Sequence, residues 1–137
     1  MTLPSQHHGT SSQTEIDDVV GKLGAQQGSG LLVAPDPFTA SNRGVIIKSA
    51  ERHGVPAIYS FRLYVQEGAL MSYGADPAEI VRRSALYIDR ILNGANPGEL
   101  PAQQPTKFEL AINLRTAHRL GLDVPDTLLV AADEVIE

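Results

Sequence analysis

The sequence contains no cysteine and no tryptophan, and only 5% of its residues are aromatic. Without cysteine there is no disulfide, no thiolate metal ligand and no thiol nucleophile. Basic residues are scarce as well. Eleven Lys and Arg stand against sixteen Asp and Glu, a formal net charge of −5, which argues against the basic face that nucleic-acid binding requires. No apolar run approaches the ~18 residues of a membrane span, so no membrane insertion is expected. Residues 1–13 lack the basic and apolar regions of a secretory signal. If the chain is a complete product, that places it in the cytoplasm.

The 137 residues, 42% hydrophobic and 20% charged, suit a soluble globular domain with a real core. Residues 1–13 are polar and read as a disordered tail, with His7 and His8 part of it rather than a metal site. Order is expected from Thr14, an N-cap followed by the apolar stripe Ile16, Val19, Val20 and Leu23. The run Leu31–Ala34 suits a strand buried on both faces. A helix is predicted over about 39–53 with Gly54 as its stop, then a strand at 56–59, a turn or short helix at 61–67 and a weaker strand at 70–73.

Asp76, Pro77 and Glu79 then open the clearest helix, which ends at Gly94 and carries an inner stripe of Ile80, Ser84, Tyr87, Ile88 and Ile91. Pro97, Pro101 and Pro105 make 94–106 an extended connector. Strict alternation from Phe108 to Leu114 predicts a strand with one buried face. Short helices follow near 116–120 and after Pro125, then Val135–Ile136. Apolar strands alternating with amphipathic helices imply an α/β fold, three-layered, with a mostly parallel sheet.

Ligands of such sheets bind beyond the carboxyl ends of the strands. The residues there are Asp36, Ser60, Phe61, Arg62, Tyr73 and Asp76, and the candidates for ligand binding are the first five. Asp36 can accept from an ammonium or hydroxyl group, Arg62 can pair with a carboxylate, and Phe61 or Tyr73 can stack on an apolar group. Each also has a plain structural role open to it: helix cap, solvated charge, core ring. No nucleophile elbow, phosphate loop or zinc-protease motif occurs. His53 and His118 lie near predicted helix ends, where a cation suits the dipole. The expectation is a protein that is not an enzyme and holds no cofactor or metal.

The segments LLVAPDPFTASNRGVIIKSAERHGVPAIYS (31–60) and EGALMSYGADPAEIVRRSALYIDRILNGANPGELPAQQPTKFELAINLRTAHRLGLDVP (67–125), with the terminal ADEVIE, resemble the tryptophan/tyrosine-type family of ABC transporter substrate-binding proteins. That resemblance implies the C-terminal half of a type 1 periplasmic-binding fold, in which two lobes close on a small solute. It implies a second-lobe-like part at 14–69 and 104–137 and a first-lobe-like crossover at 70–103. It also implies a transporter permease as partner and a periplasmic setting. Asp36 matches an acidic position that faces the ligand in relatives. At Phe61 and Arg62 many relatives carry an acid instead, which tilts the expected solute toward an acidic or aromatic molecule.

With the first lobe absent, the stripe of the 77–93 helix needs another cover, and a homodimer, with or without exchange of 77–106, is the expected repair. Two other functions stay open: a stand-alone dimeric ligand-sensing regulatory module, and a small flavodoxin-like α/β enzyme.

Overall fold

The computed structural model describes residue 9 and residues 12–137. Most of the expected tail, including His7 and His8, lies outside the described residues. The first helix, α1 (Gln13–Gly24), starts slightly earlier than its apolar stripe suggests. Ser12, not Thr14, is its N-cap, and the Ser12 side chain accepts from the Glu15 amide.

Strand β1 (Leu31–Leu32) is followed by α2 (Pro37–Ser41) and α3 (Arg43–Arg52), where the sequence predicts one helix over 39–53. The break falls at Asn42, whose side chain donates to the Phe38 carbonyl and competes with continuation of the helix. Strand β2 (Ala57–Tyr59), α4 (Arg62–Gln66) and β3 (Met71–Ala75) come next. Then α5 (Pro77–Leu92) and a 3-10 turn at Pro97–Glu99 lead to β4 (Phe108–Asn113), α6 (Leu114–Arg119), α7 (Asp126–Ala131) and β5 (Glu134–Ile136).

The five strands form one sheet in the order β1-β2-β3-β4-β5. All neighbours are parallel except β3 and β4, which are antiparallel with Ala75 opposite Phe108. The α/β class and the mostly parallel sheet are thus as the residue pattern implies. The weakest predicted strand, β3, is the central one, because its residues hydrogen-bond to neighbours on both sides.

The two faces of the sheet differ. On the first, Ala57, Tyr59, Ile46, Ile47, Ala50, Ile16 and Val20 close the main core, with α1 laid across α3. Asp17 clasps the two helices, accepting from Ser49 at 2.6 Å, Arg52 at 3.2 Å and His53 at 3.3 Å. Close approach of α1 to α3 also needs Gly24, where a Cβ would lie 2.5 Å from the His53 carbonyl oxygen. The second face holds Leu32, Ile58, Met71, Tyr73, Leu110 and Ile112 in cross-strand register. It is buried at Leu110 and Ile112 but open at β1, where Leu32 is 75% exposed. So β1 is not buried on both faces as its apolar run suggests, whereas β4 is: Leu110, Ala111, Ile112 and Asn113 are all buried despite the strict alternation around them. Polar Asn113 is accommodated because it donates to the Val65 carbonyl and caps α6.

Helix α5 stands apart. None of its residues is buried, so its stripe does not face inward as its pattern predicts. It belongs to an excursion, residues 76–107, that leaves and re-enters the sheet between β3 and β4. The Asp76 amide bonds to the Lys107 carbonyl at the stem. Arg83 donates to the Gln104 carbonyl and Thr106, and Tyr87 donates to the Pro101 carbonyl. The proline-rich connector is thereby strapped along one side of the helix.

Candidate functional site

Strands β1, β2 and β3 all end at one edge of the sheet, and because β4 runs the other way, β4 and β5 begin there. The candidate residues sit along this edge, each fixed by local structure. Asp36 caps α2: one of its carboxylate oxygens accepts from the Phe38 amide at 2.7 Å and the Thr39 amide at 3.0 Å, and the Thr39 hydroxyl accepts in turn from the Asp36 amide. The cap is exposed, so the carboxylate faces solvent while it holds the helix.

Ser60 follows β2 and lies against β3. A Cβ on Gly74 would come within 2.0 Å of the Ser60 carbonyl oxygen, so only glycine lets the strand pass. Phe61 turns its ring inward, edge-on to Tyr64 at 5.8 Å, and is half-buried against the core. Arg62 opens α4 and points along the edge, 3.8 Å from Glu109 and 3.9 Å from Glu134. These separations are ion pairing without a close hydrogen bond. The guanidinium is flanked by two carboxylates, which lessens its pull on an acidic solute. Tyr73 is on the open face, 56% exposed, and stacks on Phe108 with ring centres 5.7 Å apart and planes 18° from parallel.

The edge thus carries a line of charges in which Arg62 and Asp76, which follow strands, meet Lys107, Glu109 and Glu134. Lys107 donates to Asp76 at 2.9 Å and to Glu109 at 3.1 Å, Arg62 follows, and Glu134 accepts from Gln66 at 3.1 Å. The hydrogen bond from Lys107 holds the Asp76 carboxyl below the ordinary carboxylate range, against a smaller opposing effect of desolvation. Asp76 and Glu109 in turn raise Lys107. Glu109, Glu134 and Phe108 were invisible to a search of residues following strands, since they open strands that begin at this edge. The signal that locates them is the antiparallel turn of β4, which the sequence does not announce.

This edge is open. Its stacked rings lie on one face of the sheet and Glu109 and Glu134 on the other, and a sizeable depression lies elsewhere. It is an apolar hollow of about 330 Å³ near the amino ends of β1–β3, lined by Leu31, Leu32, Pro56, Ile58, Leu70 and Met71. That hollow offers no polar side chain to orient a small ligand. Asp17, Ser49 and His53 do meet, yet Ser49 and His53 both address the Asp17 carboxylate and no relay links serine to histidine. The cluster ties α1 to α3. Asp17 is held below its ordinary value chiefly by the Ser49 hydrogen bond.

Comparison with known proteins places this geometry. The sequence profile of a family described as ABC transporter substrate binding protein matches residues 10–136. Among solved structures, a conserved domain protein from Vibrio cholerae is 27% identical with a TM-score of 0.78, over 90% of this chain and 41% of that one. An ABC domain from Streptococcus pneumoniae, solved in complex with L-Trp, is 26% identical with a TM-score of 0.78, over 91% and 43%. A ligand-free, open substrate binding protein with adhesive properties from Clostridium difficile is 20% identical with a TM-score of 0.65, over 94% and 43%, a likeness of fold. The chain therefore spans about two-fifths of each of these structures. No curated protein matches the sequence.

Proposed function

The chain belongs to the ABC transporter substrate-binding protein family, and from that premise we propose that it forms one wall of a solute site for a small aromatic, amino-acid-like molecule. The observation that carries this is the exposed Tyr73–Phe108 stack at the edge where β1–β3 end, on the face of the sheet opposite to Glu109 and Glu134. An aromatic solute would stack on Tyr73, with Asp36, Ser60, Phe61 and Arg62 along the same edge. The L-Trp complex of the Streptococcus pneumoniae relative supports an aromatic amino acid over an acidic solute. The family is a binding family, and the role proposed here is to hold the solute, not to transform it.

By this reading the chain serves an ABC transporter, with its permease as partner, in the periplasmic or extracellular setting of the family. Among the described residues no helix is long and apolar enough to cross a membrane. The second-lobe-like part is the sheet with its helices, and we set the crossover segment at 76–107, since residues 71–75 run in the middle of the sheet.

Single-walled binding buries little of the solute, so affinity near 1 mM is expected. Titration of labelled protein with L-tryptophan, followed by NMR, should shift resonances of Tyr73, Phe108 and Ser60, and Tyr73→Ala should abolish the shifts. Shifts confined to the hollow at Leu32 and Met71, or none with L-tryptophan, L-tyrosine and phenylalanine alike, would overturn the assignment.

A further inference from the structure

Tyr59 ends β2 inside the main core. It is 1% exposed, and its ring is accounted for by edge-on contact with Tyr64 at 5.8 Å. Its hydroxyl is not: among the described residues it has no hydrogen-bond partner. A phenylalanine would fill the same place without that loss, since a buried hydroxyl left unbonded opposes folding. Burial also pushes the phenol pKa up, so the group stays protonated through the neutral range and keeps a proton to donate.

Tyr59 lines a small hollow of about 10 Å³, bounded also by Ile47, Ala50, Ala57, Gly68 and Thr116. One water molecule needs about 10–15 Å³ by this measure, so the hollow has room for one and not for a larger ligand. Its wall is not purely apolar. The Thr116 hydroxyl donates to the Gly68 carbonyl at 2.9 Å and accepts from Arg119 at 2.9 Å. A carbonyl oxygen and a hydroxyl oxygen each carry a second lone pair, so both can accept from a further donor.

We propose that this hollow binds a single water molecule, which accepts from the Tyr59 hydroxyl and donates to the Gly68–Thr116 pair. The water joins β2 to the turn before β3 and to α6. All three groups are held by the sheet and the helices on its first face, so the site draws on neither the open edge nor α5.

Tyr59→Phe keeps the ring and removes the donor. Oxygen-17 relaxation dispersion counts long-lived internal water without interference from hydroxyl protons, and the count should fall by one from parent to variant. The folding equilibrium constant from urea unfolding should fall about fivefold, the weight of one ordinary hydrogen bond. A dry, unbonded hydroxyl predicts the opposite sign, a constant that rises when the group is removed. A high-resolution crystal structure of the parent chain should show one water within hydrogen-bond reach of the Tyr59 hydroxyl. An unchanged water count, a variant as stable as the parent or more so, or no water in the hollow would overturn the proposal.

Discussion

Gly74→Ala tests the sheet and the candidate site together. Gly74 sits in β3 with Glu109 opposite it, and the added Cβ would lie 2.0 Å from the Ser60 carbonyl oxygen and 3.0 Å from its carbonyl carbon. Both are backbone atoms, so no flexible side-chain end can give way. Restoring an ordinary carbon–oxygen contact of about 3.3 Å demands a shift of more than 1 Å between β3 and the Ser60 loop. Overpacking of this kind costs about 1–3 kcal/mol where side chains absorb it. Here, with backbone on backbone, about 3 kcal/mol is expected, or roughly a 10 °C fall in Tm for a domain of this size. Gly44 is the control: it lies in α3 with nothing within 4 Å of its would-be Cβ, so Gly44→Ala should stabilise by about 0.5–1 kcal/mol. Urea and thermal unfolding of both variants provide the measurement. A Gly74→Ala protein within about 0.5 kcal/mol of the parent would show that the contact relaxes freely, and the reasoning would fail.

Asp36→Ala should destabilise by about 1 kcal/mol through loss of the α2 cap, whereas Asp36→Asn should retain most of it; a solute effect shared by both would then report the charge rather than the helix. Three carboxyls, Asp17, Glu67 and Asp76, are held below their ordinary values of 3.8, 4.5 and 3.8 by Ser49, Arg43 and Lys107 respectively. Their contribution is complete above those ordinary values and is lost as pH falls through the depressed ones. The urea midpoint should hold from neutrality to about pH 5 and fall below about 4.5, and D17N/E67Q/D76N should flatten that fall. An unchanged midpoint at pH 3 in the parent protein would count against the three pairings.

Much of the fold was legible because its signals are local. Asp76 and Pro77 mark the start of α5, and Gly54, Gly68, Gly94 and Gly121, all with positive φ, mark where helices and turns stop. What was not legible depends on neighbours in space. Leu31–Ala34 has the composition of a doubly buried strand, but whether anything covers Leu32 is a property of the assembly. Alternation in β4 predicts one polar face, yet Asn113 is buried because Val65 and Thr116 lie where it can bond them. The stripe of α5 was read as apolar and, with no first lobe to lie on, as in need of a cover, and none of its residues is buried. Of the candidate site, Asp36, Ser60, Phe61, Arg62 and Tyr73 do share one edge, while Glu109 and Glu134 escaped because strand direction is set by the 76–107 excursion and not by any residue within β4.

That excursion has a consequence for engineering. Its two ends meet at Asp76 and Lys107, joined by a backbone bond and an ion pair, and β3 and β4 continue from them as the arms of an ordinary hairpin. To the sheet, residues 76–107 are a thirty-two-residue loop. Replacing them with a two-residue Asn-Gly turn would shorten the loop sixteenfold and recover about 2.4 kcal/mol of closure entropy. The junction is a natural port, at which a sensor, a tag or a different helix could be spliced without the core taking notice.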